Sequence, residues 1–216
     1  MSDFGGRLAE VRRRIERSGG DPDAITIVGA KPPSVEACRE AIAAGIVDLG
    51  ENRAQDLLAK TADVAGARWH FIGRLQTNKV RSLVPHVELW ESVDREELVE
   101  VLARRAPGAD VLVQVNVSDE AQKGGCAPTE TAALVRVASD AGLNVLGLMG
   151  IGPMGAPEDA RSAFRTLRGL ADDLGLGVRS MGMTDDLEVA IQEGSTMVRI
   201  GTALFGPRRP PNLPRD

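Results

Sequence analysis

The sequence predicts a single-domain α/β protein, a (β/α)8 TIM barrel with one extra helix ahead of it. Two observations carry this. Eight short apolar runs recur along the 216 residues, separated by stretches whose apolar residues return every three or four positions. That alternation argues for parallel strands joined by helices, and eight such units close into a barrel. The second observation is a missing motif. The first run passes into Ala30-Lys31-Pro32-Pro33, without the GxGxxG turn of an open doubly wound sheet, the alternative architecture.

In chain order, residues 5–18 read as an amphipathic helix through Leu8, Val11 and Ile15, stopped by Gly19-Gly20. Strands are expected over residues 25–30, 47–50, 69–72, 87–90, 111–117, 145–149, 178–181 and 196–200. Between them, Val35, Cys38 and Ile42 mark one helix, and Ala160, Phe164, Leu167, Ala171 and Leu174 another. The domain is expected to span residues 1–206. Residues 207–216, rich in proline, read as a flexible tail that can form neither a helix nor an interior strand.

Composition excludes several functions. Net charge is −5 and the pI about 5.2, so no basic footprint points to nucleic acid or an anionic membrane. No run of ~18 apolar residues occurs, and the start lacks a signal peptide's apolar core, so a cytoplasmic protein is expected. Cys38 and Cys126 have no CxxC spacing and read as free thiols. With only His70 and His86 beside them, no metal site is expected.

Four lysines stand against twenty-two arginines. Arginine replaces lysine where only charge is needed, but not where a primary amine must condense with a carbonyl. Lys31, at the end of the first strand, is therefore the candidate amine, with Pro32 biasing it to an extended conformation. In such barrels the loops after the strands carry function. After the second strand come Glu51 and Asn52; Asn52 with Gln55 reads as a capping box that can still face the barrel mouth. His70, between Trp69 and Phe71, points opposite to both and reads as a core residue or a ligand contact. Met149 ends the sixth strand.

The seventh and eighth exits are richer. Ser180, Gly182 and Met183 precede a helix that Thr184 is expected to cap, and Arg199 precedes Gly201 and Thr202 at a short helix. Ser180, Gly182, Gly201 and Thr202 form the expected phosphate cradle, with Asp185 and Asp186 pointing outward. A reactive lysine facing a phosphate site suits a lysine-dependent aldolase or pyridoxal 5′-phosphate (PLP). Arg199 favours PLP, because PLP sites place a carboxylate or an arginine at the pyridine nitrogen, although Glu51 could instead neutralise Arg199.

These residues carry a resemblance. Gly50-Glu51-Asn52, the run from Trp69 to Lys79, Gln114-Val115-Asn116-Val117-Ser118, Gly147-Leu148-Met149, Met181 to Asp186, and Gly194 to Thr202 are similar to the PLP homeostasis proteins (the YggS/PROSC family). These are single-domain relatives of the alanine racemase N-terminal barrel. The resemblance implies PLP held as an aldimine on Lys31, phosphate near Ser180, Gly182, Gly201 and Thr202, Arg199 near the pyridine nitrogen and Asn52 beside the ring. His70, Met149 and Met183 complete the expected cofactor-binding set. It implies a PLP carrier or buffer in vitamin B6 and amino-acid balance with no established reaction; apo PLP-dependent enzymes as acceptors and a monomeric state are further expectations.

The chain departs from the family around Lys31. Gly29-Ala30-Lys31-Pro32-Pro33 lacks the usual neighbouring hydroxyls and second lysine. Lys123, after the fifth strand, is the remaining candidate helper, because Lys60 and Lys79 fall on helices. The chain has no tyrosine, the second base of racemases of this barrel. His70 or Cys38 would have to substitute, so a racemase ranks second to a binder. An aldolase ranks third, because no acid–lysine relay is visible beside Lys31.

Overall fold

The computed structural model describes residues 3–207. Its strands are β1 (Thr26–Ala30), β2 (Asp48–Glu51), β3 (Arg68–Phe71), β4 (Val87–Val93), β5 (Asp110–Val115), β6 (Asn144–Gly150), β7 (Val178–Ser180) and β8 (Met197–Ile200). All pair in parallel in chain order, and β8 closes onto β1 with Val28 opposite Arg199 and Gly29 opposite Ile200. The expected barrel is therefore the observed one. Strand ends differ by up to three residues, the largest difference being β4, which runs on from Trp90 to Val93.

Alternating strand residues build two cores. Val28, Leu89, Leu112, Met149 and Met197 fill the barrel, and Trp69, Phe71 and Trp90 face outward to the helices. The helix α2 (Val35–Ala43) buries Cys38 and Ala41, with Ile42 at its margin. Further round the barrel lie α3 (Ala54–Thr61), α4 (Thr77–Leu83), α5 (Glu96–Arg105) and α6 (Thr131–Asp140). Helix α7 (Arg161–Asp173) buries Ala163, Phe164, Leu167 and Ala171 at helical spacing.

The extra N-terminal helix is α1 (Phe4–Arg17), capped by Asp3, whose carboxylate accepts the Gly6 N–H at 3.1 Å. It buries Phe4, Leu8, Val11 and Ile15. Its partners are α8 (Leu187–Gln192) and α9 (Thr202–Phe205), the helices after β7 and β8. Arg14 pairs with Glu188 at 2.6 Å and donates to the Thr184 carbonyl at 2.7 Å, and Phe4 packs on Phe205 at 5.6 Å between ring centroids. The extra helix thus braces the two exits to which the sequence assigns phosphate. The tail expected from residue 207 lies, apart from Pro207, outside the described residues. No described helix is long and apolar enough to cross a membrane, and no metal-binding group of side chains occurs among the described residues.

Candidate cofactor-binding site

Lys31 leaves β1 at the C-terminal face of the barrel. Its N–H donates to the Gly50 carbonyl at 2.7 Å, extending the β1–β2 ladder by one bond. The backbone there is not extended as expected: φ is +55°, in the left-handed region. The bias of Pro32 acts against the right-handed helical region, and the turn is completed in the left-handed one, at a cost of roughly 1–2 kcal/mol for a residue with a Cβ. Among the described residues only Asp119 shares this feature outside glycine.

The β8 exit closes against that turn, and the β7 exit is tied to the β8 exit. A Cβ on Gly201 would lie 3.1 Å from the Ala30 carbonyl oxygen, so glycine lets the β8 loop approach the residue before Lys31. Gly182 has φ +97° and its carbonyl accepts the Arg199 N–H at 2.9 Å. Thr184 does not cap α8. Its hydroxyl accepts the Ala203 N–H at 3.2 Å, tying the two exits together, while Asp186 takes the N-cap position. Asp185 is exposed as expected, but Asp186 turns inward and its carboxylate accepts the Met183 N–H at 2.6 Å. That bond commits the Met183 N–H within the loop.

Beneath the mouth runs a buried polar chain. Arg199 Nη1 donates to the Ser180 carbonyl at 2.8 Å and hydroxyl at 2.7 Å, and Nη2 to the Gly150 carbonyl at 2.8 Å. Those bonds use three of its five N–H donors. The Ser180 hydroxyl donates in turn to Glu91 Oε2 at 2.6 Å. Glu91 Oε1 meets His70 Nδ1 at 2.7 Å, and His70 Nε2 meets Asp48 at 3.1 Å, with Arg68 on the far side of Asp48 at 2.6 Å. Burial weakens the basicity of His70, but the two carboxylates outweigh it and raise its pKa to about 9. Burial likewise opposes charge on Glu91 and Asp48, yet contact with His70 leaves both below the usual carboxylate range. Arg199 is held below its ordinary value by burial, against the pull of Glu91 and Asp186.

Two residues of the expected cofactor-binding set have partners of their own within the barrel. The Ser180 hydroxyl is fully buried between Glu91 and Arg199, inside the barrel. Both ring nitrogens of His70 are occupied by carboxylates, so it is a charged core residue. Met149 is fully buried in the inner core, opposite Ser180 in the β6–β7 pairing. Asp48 and Glu91 carry this arrangement and were not among the residues expected from sequence.

The second strand's exit also differs from expectation. Arg53, not Asn52, is the N-cap of α3, and no side chain caps it. Asn52 is exposed and lines a cavity of about 350 Å³ with Lys31, Pro32, Glu51, Asp56 and Lys60. Gly182, Arg199, Gly201 and Thr202 lie outside that cavity. Lys60 reaches it from its helix: its amine donates to the Pro32 carbonyl at 2.6 Å and pairs closely with Glu51. Burial raises the Glu51 carboxyl above its ordinary value despite that partner. An acid–amine pair therefore does adjoin Lys31, through Glu51 and Lys60. Glu51 is taken by Lys60 and not by Arg199. Lys123, the expected helper, is held by Glu120 at 2.5 Å and the Gly152 carbonyl at 2.6 Å.

The sequence pattern of the family described as alanine racemase, N-terminal domain, matches residues 11–209. The pyridoxal phosphate homeostasis protein of Pseudomonas aeruginosa is 44% identical over 211 residues, covering 93% of this chain and 92% of that protein. The chain belongs to the pyridoxal phosphate homeostasis protein family. The Escherichia coli member is 38% identical, with coverage of 96% and 98%. The solved structure of PipY from Synechococcus elongatus, with PLP bound, superposes with a TM-score of 0.83 at 32% identity over 94% of this chain and all of that one. An alanine racemase from Clostridium difficile shares the fold at TM-score 0.72, 12% identity and 58% of its own length. The homeostasis proteins are matched along nearly their whole length, whereas the racemase extends well beyond the shared barrel.

Proposed function

We propose that this chain binds PLP covalently through Lys31 and serves intracellular PLP homeostasis, without a dedicated reaction of its own. The observation that carries the reading is the convergence of the Lys31 turn with the Gly201 loop, above an arginine whose direct partners are carbonyls and a hydroxyl. When bound, PLP supplies an aldehyde for the lysine amine, a phosphate and a pyridine nitrogen. Lys31 would hold the first, and Gly182, Gly201 and Thr202 the second. Arg199 would face the third and disfavour its protonation, with Asn52 and Met149 nearby. The PLP-bound relative and the names of the similar proteins support this.

The protein's own groups also support binding over turnover. Racemisation needs a second base opposite the lysine. No tyrosine exists in the chain, burial pushes the Cys38 thiol up to about 11, and His70 is already protonated at neutral pH. The reading extends to a cytoplasmic monomer that passes PLP to apo-enzymes. Borohydride reduction of protein loaded with PLP, followed by peptide mapping, tests the attachment; a pyridoxyl mass on any peptide but that of Lys31 overturns it. Exchange of the α-proton of single-enantiomer amino acids in deuterated water, at enzyme-like rates, would overturn the absence of turnover.

A further inference from the structure

A second cleft, of about 730 Å³, adjoins the Lys31 cavity and shares Asn52 and Arg53 with it. It opens between the β2 and β3 exits and the start of α5. Arg53, Arg74, Lys79 and Arg95 line it, together with the apolar residues Ala54, Phe71 and Leu75, the last two largely buried beneath it. Four cations converge here on a chain whose net charge is −5. Arg95 is committed, to Asp94 at 2.5 Å and the Leu75 carbonyl at 2.9 Å. Among the described residues, Arg53, Arg74 and Lys79 make no ion pair.

Like charges gathered around one concavity repel, and they stabilise the fold only when an anion joins them. The volume falls in the range of small-molecule sites and is far smaller than a macromolecular interface. Two guanidinium forks and an ammonium match the oxygens of a dianion, and the apolar part of the lining suits a small organic body attached to it. We propose that this cleft is a second anion site, taking a small phosphate monoester, independent of the chemistry at Lys31. Its ligand would lie against Arg53, on the rim of the Lys31 cavity. The cationic wall would concentrate phosphate esters there.

The test uses the full chain carrying Lys31→Ala, so that no covalent adduct can form. The probes are inorganic phosphate and phenyl phosphate, titrated at constant ionic strength while the arginine side-chain N–H signals are followed by NMR. The expected result is saturable shifts at Arg53 and Arg74, tighter binding of phenyl phosphate than of inorganic phosphate, and at least about a tenfold loss of affinity in Arg74→Ala/Lys79→Ala, as for a lost charge-assisted bond. Arg104→Ala, at the far end of α5, should leave affinity unchanged. Linear, unsaturable shifts, or equal affinity in the double variant, would overturn the site. Displacement of phosphate by a glutamate-rich peptide that binds more tightly would overturn the small-ligand assignment. None of these readouts depends on attachment at Lys31, so failure there is separately visible.

Discussion

Glu91 and Arg199 are joined through a single hydroxyl: Ser180 Oγ accepts from the guanidinium at 2.7 Å and donates to the carboxylate at 2.6 Å. Both charged groups are buried, and His70 on the other side of Glu91 is a third buried charge. Buried ions are tolerated only when every partner is present, so this chain should act as a unit.

Glu91→Gln removes the anion between two cations and is expected to destabilise the fold by about 3–5 kcal/mol, the cost of an uncompensated buried charge. Ser180→Ala should cost less, about 1–3 kcal/mol, because one hydrogen-bonded link is lost while the charges stay. Denaturant unfolding of the two variants and their double mutant checks this. Additive losses would show that Glu91 and Ser180 do not act together.

Stability should decline on the alkaline side. His70 is raised from 6.5 to about 9, so its contribution, on the order of 3 kcal/mol, is complete below the unfolded pKa and is lost as pH rises through about 9. Asp48 and Glu91 are lowered, so theirs is present above the ordinary carboxylate range and lost as pH falls through their folded values. Thermal unfolding from pH 6.5 to about 9.5 should show a fall in the wild type that His70→Gln flattens.

At Lys31 the backbone conformation, and not only the amine, can be tested. Lys31→Gly should be more stable than Lys31→Ala by about 1 kcal/mol, or a few degrees in Tm, because glycine adopts φ +55° without penalty. Neither variant should yield a pyridoxyl peptide at this position. Equal stability of the two would mean the turn is unstrained.

Lys60→Ala leaves Glu51 buried without its cation and should cost about 1–3 kcal/mol. Adding Glu51→Gln should restore part of the loss. Chemical denaturation of the single and double variants reads this directly, and a double variant worse than the sum would contradict the pairing.

The barrel was legible because its strands are short apolar runs whose period differs from that of the helices, and α1 and α7 were plain from the spacing of Leu8, Val11 and Ile15 and of Phe164, Leu167 and Ala171. Toward a site, the sequence singles out only residues whose type says much, such as Lys31, Gly201 and Arg199. Glu91 lies beyond the apolar run that ends at Trp90, and only strand alternation continued from Leu89 places an acid there facing the barrel interior. Lys60 lies on a helix, a placement that argues against a part at the mouth, yet its long flexible stem returns it to the Lys31 turn. The caps assigned to Asn52 and Thr184 failed because backbone at a barrel mouth serves neighbouring loops as much as its own helix.

The turn carrying Lys31 is anchored on both sides, by the Gly50 carbonyl before it and by two successive prolines after it, the first of them buried and bonded to Lys60. Such a segment has no hinge. On the proposed reading, cargo could not be let go by opening this edge of the barrel. It would have to leave by attack of water or another amine at the carbon bonded to the Lys31 nitrogen, with the lysine amine as the group released, so its departure would quicken with the concentration of competing amines and be indifferent to solvent viscosity.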